Sequence, residues 1–146
     1  MKKLLFLLAI VFAANVTFAK DNTIDNAKVL NGFREEFGNI ANVSWYKTDN
    51  SFVAKFALNA SKITAHFDEE GTLLAVSRNI SDSQLPTAVI TRLIKKFPNQ
   101  AIRNVVEYVS DDTTRYVITL ESETHWTVLK GDENGSVSVL NKLKKS

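Results

Sequence analysis

Val29-Leu30-Asn31-Gly32-Phe33-Arg34-Glu35-Glu36-Phe37-Gly38-Asn39 and Val89-Ile90-Thr91-Arg92-Leu93-Ile94-Lys95-Lys96-Phe97-Pro98-Asn99 are two versions of one pattern. Downstream of each, the likeness continues. Phe52-Val53-Ala54-Lys55-Phe56 matches Tyr116-Val117-Ile118-Thr119-Leu120, and Asp68-Glu69-Glu70-Gly71 matches Asp132-Glu133-Asn134-Gly135. The offset between copies grows from 60 to 64, as two lengthened loops in the second copy would produce. Two units of this length are too few and too long for a solenoid, so the repeat predicts one pseudo-symmetric domain. Repeat one covers about 25–78 and repeat two about 83–143.

Each copy opens with a helix. Leu30, Phe33 and Phe37 share one helical face in the first, and Ile90, Leu93, Ile94 and Phe97 do so in the second. Gly38 suits a left-handed C-cap, and Pro98 ends the second helix by withholding an N–H. Pro86 falls in the first turn, where the missing donor costs little. The apolar stripes themselves are read as core packing.

Four strands follow each helix, at about 42–47, 52–58, 61–67 and 72–78, then 103–110, 114–121, 124–130 and 136–142. Phe52, Ala54, Phe56 and Leu58 alternate with Val53, Lys55 and Ala57, the period of a strand with one buried face. Tyr116, Ile118 and Leu120 repeat that face. Asp49-Asn50, Asp68 to Gly71, Asp111-Asp112 and Asp132 to Gly135 supply the turns. Helix then four strands, twice, predicts an α+β fold: an antiparallel sheet of about eight strands with two helices on one face.

The N-terminus reads as a targeting segment. Lys2 and Lys3 precede the apolar run Leu4 to Ala14, and Thr17-Phe18-Ala19 offers small residues for cleavage after Ala19. The run is shorter than the roughly 20 residues of a membrane span. Residues 1–19 are therefore expected to be a signal peptide and 20–146 the mature domain, without a membrane anchor. The formal net charge of +2 belongs to that leader. Without Lys2 and Lys3, sixteen basic residues face sixteen acidic ones, so the charge balance points to no nucleic-acid partner. The chain has no cysteine, so neither a disulfide nor a cysteine-linked lipid anchor can form.

Catalytic chemistry finds little support. There is no cysteine nucleophile, no Gly-x-Ser-x-Gly elbow and no phosphate-cradling glycine loop. The two histidines, His66 and His125, fall opposite Lys130 and Ser61 in the repeat, so neither recurs. The acidic turns at Asp68 and Asp132 could offer oxygens to a cation or act as general acid or base. They lack the alternate ligand spacing of a calcium loop, and the same residues make good hairpin turns for local reasons. No cofactor and no catalytic residue is expected.

A binding surface remains. If helices cover one face of the strands, the other is free. Parity places Val53 and Lys55 on that face, with His66 and Tyr46 beside them, and the repeat register adds Trp126. Exposed aromatics on a sheet are natural interface anchors. A register slip of one residue would instead put Trp126 in the core.

The order of motifs resembles the PepSY-like, β-lactamase-inhibitor-like (BLIP-like) proteins exported by Bacteroidetes-type bacteria. The residues are Phe37-Gly38, Val43-Ser44-Trp45, Phe52 to Phe56, Asp68 to Gly71, Leu85-Pro86 and Phe97-Pro98, spread over 25–143. Phe37-Gly38 departs from the Phe-Pro usual in that family. The resemblance implies two helix-plus-sheet copies, a concave sheet face and a periplasmic or cell-surface location. It also suggests binding or inhibition of an envelope or extracellular protein. The inhibitors that the family name evokes contain disulfides and this chain cannot, so inhibition of a β-lactamase itself is not expected. The expected function is thus an exported, non-catalytic module that binds a protein through its open sheet face. The alternatives are a periplasmic small-ligand or metal-binding protein, or a hydrolase using the acidic turns.

Overall fold

The computed structural model describes residues 20–21 and 24–146. The expected signal peptide lies outside them. Among the described residues, no helix is long and apolar enough to cross a membrane.

The elements follow the expected order: β1 (Lys20–Asp21), α1 (Ala27–Phe37), β2 (Ser44–Lys47), β3 (Phe52–Leu58), β4 (Ser61–Phe67) and β5 (Leu73–Ile80). A 3₁₀ turn (Asp82–Gln84), α2 (Thr87–Lys96), β6 (Ala101–Ser110), β7 (Thr113–Glu121), β8 (His125–Asp132) and β9 (Val137–Lys144) complete the chain. The strands hydrogen-bond in chain order from β1 to β9, giving an open antiparallel sheet and an α+β fold. The short β1, paired to β2 with Lys20 opposite Tyr46, was not expected.

The chain forms two compact units, and their boundaries cut across the repeats. The first holds the described residues up to Phe56 together with Thr64–Ala75; the second holds Ala57–Ile63 and Val76–Ser146.

In the first unit, α1 starts at Asn26. Its side chain accepts from the N–H groups of Lys28 and Val29 at 3.0 and 3.2 Å, satisfying donors that a helix start leaves open. The same side chain donates to the Glu69 carbonyl at 2.9 Å and so ties the helix to the β4–β5 turn. The helix ends at Gly38, whose N–H reaches Arg34 O at 2.9 Å; with φ 76° and ψ −156° the residue is an extended positive-φ cap rather than the left-handed one expected, a conformation open to glycine because it has no Cβ. Phe33 is buried at the centre of an aromatic cluster. Its ring centroid lies 5.3 Å from Trp45, 5.1 Å from Phe56 and 6.2 Å from Phe67, mostly edge to face. Phe37 closes the cluster 4.9 Å from Phe56.

In the second unit, α2 buries Val89 and Leu93 against Val105, Tyr116, Ile118, Leu120 and Leu129, with Ile90 and Phe97 partly buried beside them. Ile94, expected on this stripe, is 66% exposed. The buried face is centred on Val89 and Leu93, and Ile94 lies one residue, about 100° of helical turn, beyond Leu93. Pro86 sits immediately before the helix rather than inside its first turn. A bulge in β6 at Arg103 explains why both Ile102 and Val105 reach the core. Three residues apart, they would point to opposite faces of a regular strand, and the extra residue restores the match.

The two acidic turns are the same object built twice. Asp68 Oδ1 accepts from the N–H groups of Glu70 and Thr72 at 3.0 and 2.9 Å; Asp132 Oδ1 accepts from Asn134 and Ser136 at 2.9 and 3.1 Å. Gly71 and Gly135 follow at φ 83° and 86°. A Cβ on Gly71 would overlap the Lys28 carbonyl at the start of α1, and one on Gly135 would sit 2.8 Å from the Ala88 Cβ at the start of α2. Lys28 and Ala88 are themselves equivalent in the repeat. Gly71→Ala and Gly135→Ala are each expected to cost about 2 kcal/mol or more, from the left-handed φ and the overlap together. Urea unfolding of the two variants measures it; an unchanged midpoint in both would contradict this packing.

Candidate functional site

Five residues were expected on the helix-free face. Tyr46, Val53, Lys55 and His66 lie in the first unit, Trp126 in the second.

In the first unit, β2 and β3 pair with Tyr46 opposite Val53 and Ser44 opposite Lys55, while Trp45 pairs with Ala54. Trp45 points to Phe33 and the core, so Tyr46, Val53 and Lys55 point away from α1. Parity had this right. The Lys55 ammonium sits 5.0 Å from the Tyr46 ring centroid, a cation–π contact. Two of the expected contact residues are not exposed, however. Val53 is 3% and His66 9% exposed. His66 alternates with the buried Ala65 and Phe67, so its face was read correctly and its burial was not. His66 Nδ1 has no hydrogen-bond partner among the described residues. Burial, and then the neighbouring Lys55 charge, hold its pKa below the usual histidine value.

In the second unit, Thr127, Leu129 and Gly131 are buried on the α2 side, which leaves Trp126, Val128 and Lys130 on the other. Trp126 is therefore not a core residue. It is half-buried, and the cause lies in the C-terminal strand. Trp126 pairs with Leu143 of β9, and the Lys145 ammonium lies 5.0 Å from its ring centroid. Lys145 also donates from Nζ to Glu121 at 2.5 Å and from its backbone N–H to Thr124 O at 2.8 Å. Arg103, displaced by the β6 bulge, donates to the other Glu121 oxygen. The two cations hold the Glu121 carboxyl below its usual range.

The alternatives can be weighed on the same geometry. Aromatic rings fill the space beneath Phe33 and Phe37, and a shallow, solvent-open depression remains at the edge of α1 between Leu30, Phe33 and Arg34 on the helix and Ile40, Val43 and Trp45. A solvent-open depression at the start of α1, lined by Asn26, Lys28, Lys47, Phe52 and Glu69, is bordered by both signs of charge. The Asp68 and Asp132 carboxylates are committed to closing their turns, and Glu70 pairs with Lys28 at 2.5 Å. Among the described residues, no three His, Asp or Glu side chains converge as metal ligands would.

No protein-family model matches the sequence, and no curated protein matches it. Solved structures do match the fold. A DUF2874 family protein from Bacteroides ovatus ATCC 8483 superposes with a TM-score of 0.72 at 17% identity, over 84% of this chain and 89% of that one. A BLIP-like protein from Bacteroides fragilis NCTC 9343 gives 0.68 at 18% identity, over 84% and 87%. A provisionally periplasmic protein from Bacteroides eggerthii DSM 20697 gives 0.71 at 14% identity, over 84% and 90%. The fold is thus that of the BLIP-like and DUF2874 proteins of Bacteroides, in line with the resemblance read from the sequence.

Two measurements check these placements. Trp126→Ala is expected to cost about 1 kcal/mol, against about 2–5 kcal/mol for Leu129→Ala on the opposite face of the same strand. Equal losses in chemical denaturation would return Trp126 to the core. His66 folds with a lowered pKa, so the unfolded chain binds its proton more readily. Its contribution is complete above the unfolded value of about 6.5 and is lost as pH falls through the window below it. Stability is expected to drop between about pH 7.5 and 5.5, and less so in His66→Gln; identical slopes in both proteins would refute it.

Proposed function

We propose that this protein is an exported, non-catalytic module that binds another protein through strand faces that carry no helix. The observation behind this is the pairing of a ring with an ammonium on such faces, Lys55 on Tyr46 and Lys145 on Trp126. A tyrosine or tryptophan with one side buried and one edge available offers contact area at little entropic cost. The aliphatic stem of each lysine covers part of its ring while the charged head stays at the surface. Export is supported by the tripartite leader and by the periplasmic description of a protein with the same fold. Val53 and His66, being buried, support the neighbouring side chains from below rather than forming the contact themselves.

Photo-crosslinking in cells of the native host tests the reading. A crosslinking residue at position 46 or 126 is expected to give one discrete protein adduct, and Glu35 on the exposed side of α1 none. The recovered chain is expected to begin at Lys20. Adducts only from position 35, or an intact Met1 in envelope material, would reject the proposed face or the proposed export respectively.

A further inference from the structure

β9 is the last strand of the sheet and is paired on one side only, with β8. Antiparallel pairing uses the backbone groups of alternate residues. Lys145 turns its N–H inward to Thr124 O at 2.8 Å, so the N–H and C=O of Lys142 and Lys144 face outward. Of these, the Lys142 N–H is met by a neighbouring side chain, Asn141 Oδ1, at 2.8 Å. The side chains of this edge are cationic. Lys142 stands opposite the buried Thr127 and Lys144 opposite His125, on the α2 side of the sheet, where Val139 is exposed as well. The helix adds to them. Ala88 packs against Gly135 in the β8–β9 turn, and Arg92 and Lys96 follow at four-residue steps along that flank of α2. Neither α2 nor β9 contains an aspartate or glutamate, and among the described residues none of the four cations is in an ion pair.

The repeat shows what the same edge looks like when it is filled. The offset of 64 makes Arg78 of β5 the counterpart of Lys142. On β5 the side that is open in β9 is taken by β6, paired antiparallel. Glu107 of β6 stands directly opposite Arg78 and accepts from its Nε at 2.7 Å. This pair also lies on the α2 side, because Glu107 is in turn opposite the core residue Tyr116.

We infer that β9 receives an extended acidic segment of a partner protein, added antiparallel to its open edge as β6 is to β5, with a carboxylate opposite Lys142. The outward backbone groups of Lys142 and Lys144 pair with the incoming strand, which takes over the bond that Asn141 makes. The cations select its side chains. Lys142 and Lys144 lie two residues apart on one face, so acidic residues at alternate positions of an extended chain meet both. Arg92 and Lys96 extend the same charge along the helix flank, and Val139 offers an apolar position on the edge. Another copy of this chain is a poor match, because β9 against β9 sets like charges side by side. The lysines thus refuse self-pairing and admit an acidic strand. This edge is separate from the helix-free strand faces and does not depend on their role.

The test uses the mature chain, Lys20 to Ser146, and three synthetic octapeptides. One alternates threonine with glutamate, one has glutamine in place of glutamate, and one is the glutamate peptide with its amides N-methylated. Amide shifts and amide exchange are followed by NMR. The glutamate peptide is expected to bind, with shifts centred on Val139 to Lys144 and on Lys96, and with slower exchange at the Lys144 amide. Binding should weaken roughly tenfold when Lys142→Gln and Lys144→Gln are combined, while Lys62→Gln leaves it unchanged. It should also weaken as salt rises from about 50 to about 500 mM. Equal binding of the glutamine peptide or insensitivity to the double variant would overturn the role of charge. Equal binding of the N-methylated peptide would overturn strand addition. Shifts centred elsewhere, no binding at millimolar peptide, or binding only to vesicles of phosphatidylglycerol would overturn the inference as a whole.

Discussion

The structure depends on a close approach made twice, where the first turn of each helix lies against a glycine in the turn between the last two strands of its repeat. At Gly71 there is no room for a Cβ beside the Lys28 backbone, and at Gly135 none beside Ala88. Glycine is required for the positive φ and for the proximity alike. Because the aspartate three residues earlier closes the turn with its own carboxylate, the glycine is delivered to the same place each time. In the first copy Asn26 adds a tie, capping the helix and holding the Glu69 carbonyl at once. With each helix start pinned, its apolar stripe is held against the strands that follow it.

The two cores meet that constraint with different residues. The first packs rings: Phe33 touches Trp45, Phe56 and Phe67 edge to face, an arrangement that gains from ring quadrupoles as well as from burial. The second packs aliphatic side chains, with Val89 and Leu93 over Val105, Ile118, Leu120 and Leu129. A repeat whose backbone contacts persist while its core chemistry diverges shows which part of the pattern is restrictive. Backbone proximity admits one residue type; core volume admits several.

The same economy shapes the candidate surface. Acidic residues that could have suggested metal or catalytic chemistry are used to build turns, and Glu121 is shared by Arg103 and Lys145. Among the described residues Lys55 is left without a carboxylate, next to a buried histidine with an unmatched nitrogen. Under the proposed binding role, a local imbalance of this kind, in a chain of formal net charge only +2, would direct specificity to one patch and leave long-range steering weak.

Sequence by itself determined the repeat, the fold class and the alternation of faces along the regular strands, because these follow from periodicity and turn chemistry. The spans of the eight expected strands were legible to within two residues, and parity with the repeat register favoured Trp126 on the face away from Leu129, subject to a one-residue slip. The tertiary structure decided what parity cannot see. Burial of Val53 and His66 depends on what packs over a face, not on which face it is. The bulge in β6 shifts Arg103 toward Glu121, and the bulge in β9 at Leu140 turns Leu143 to the side of Trp126. A bulge adds one residue without changing composition or average periodicity, so it leaves almost no trace in the pattern. The cover of Lys145 over Trp126 is a contact across about twenty residues of chain, set by where β9 ends against β8, and such register is fixed only when the strands pair.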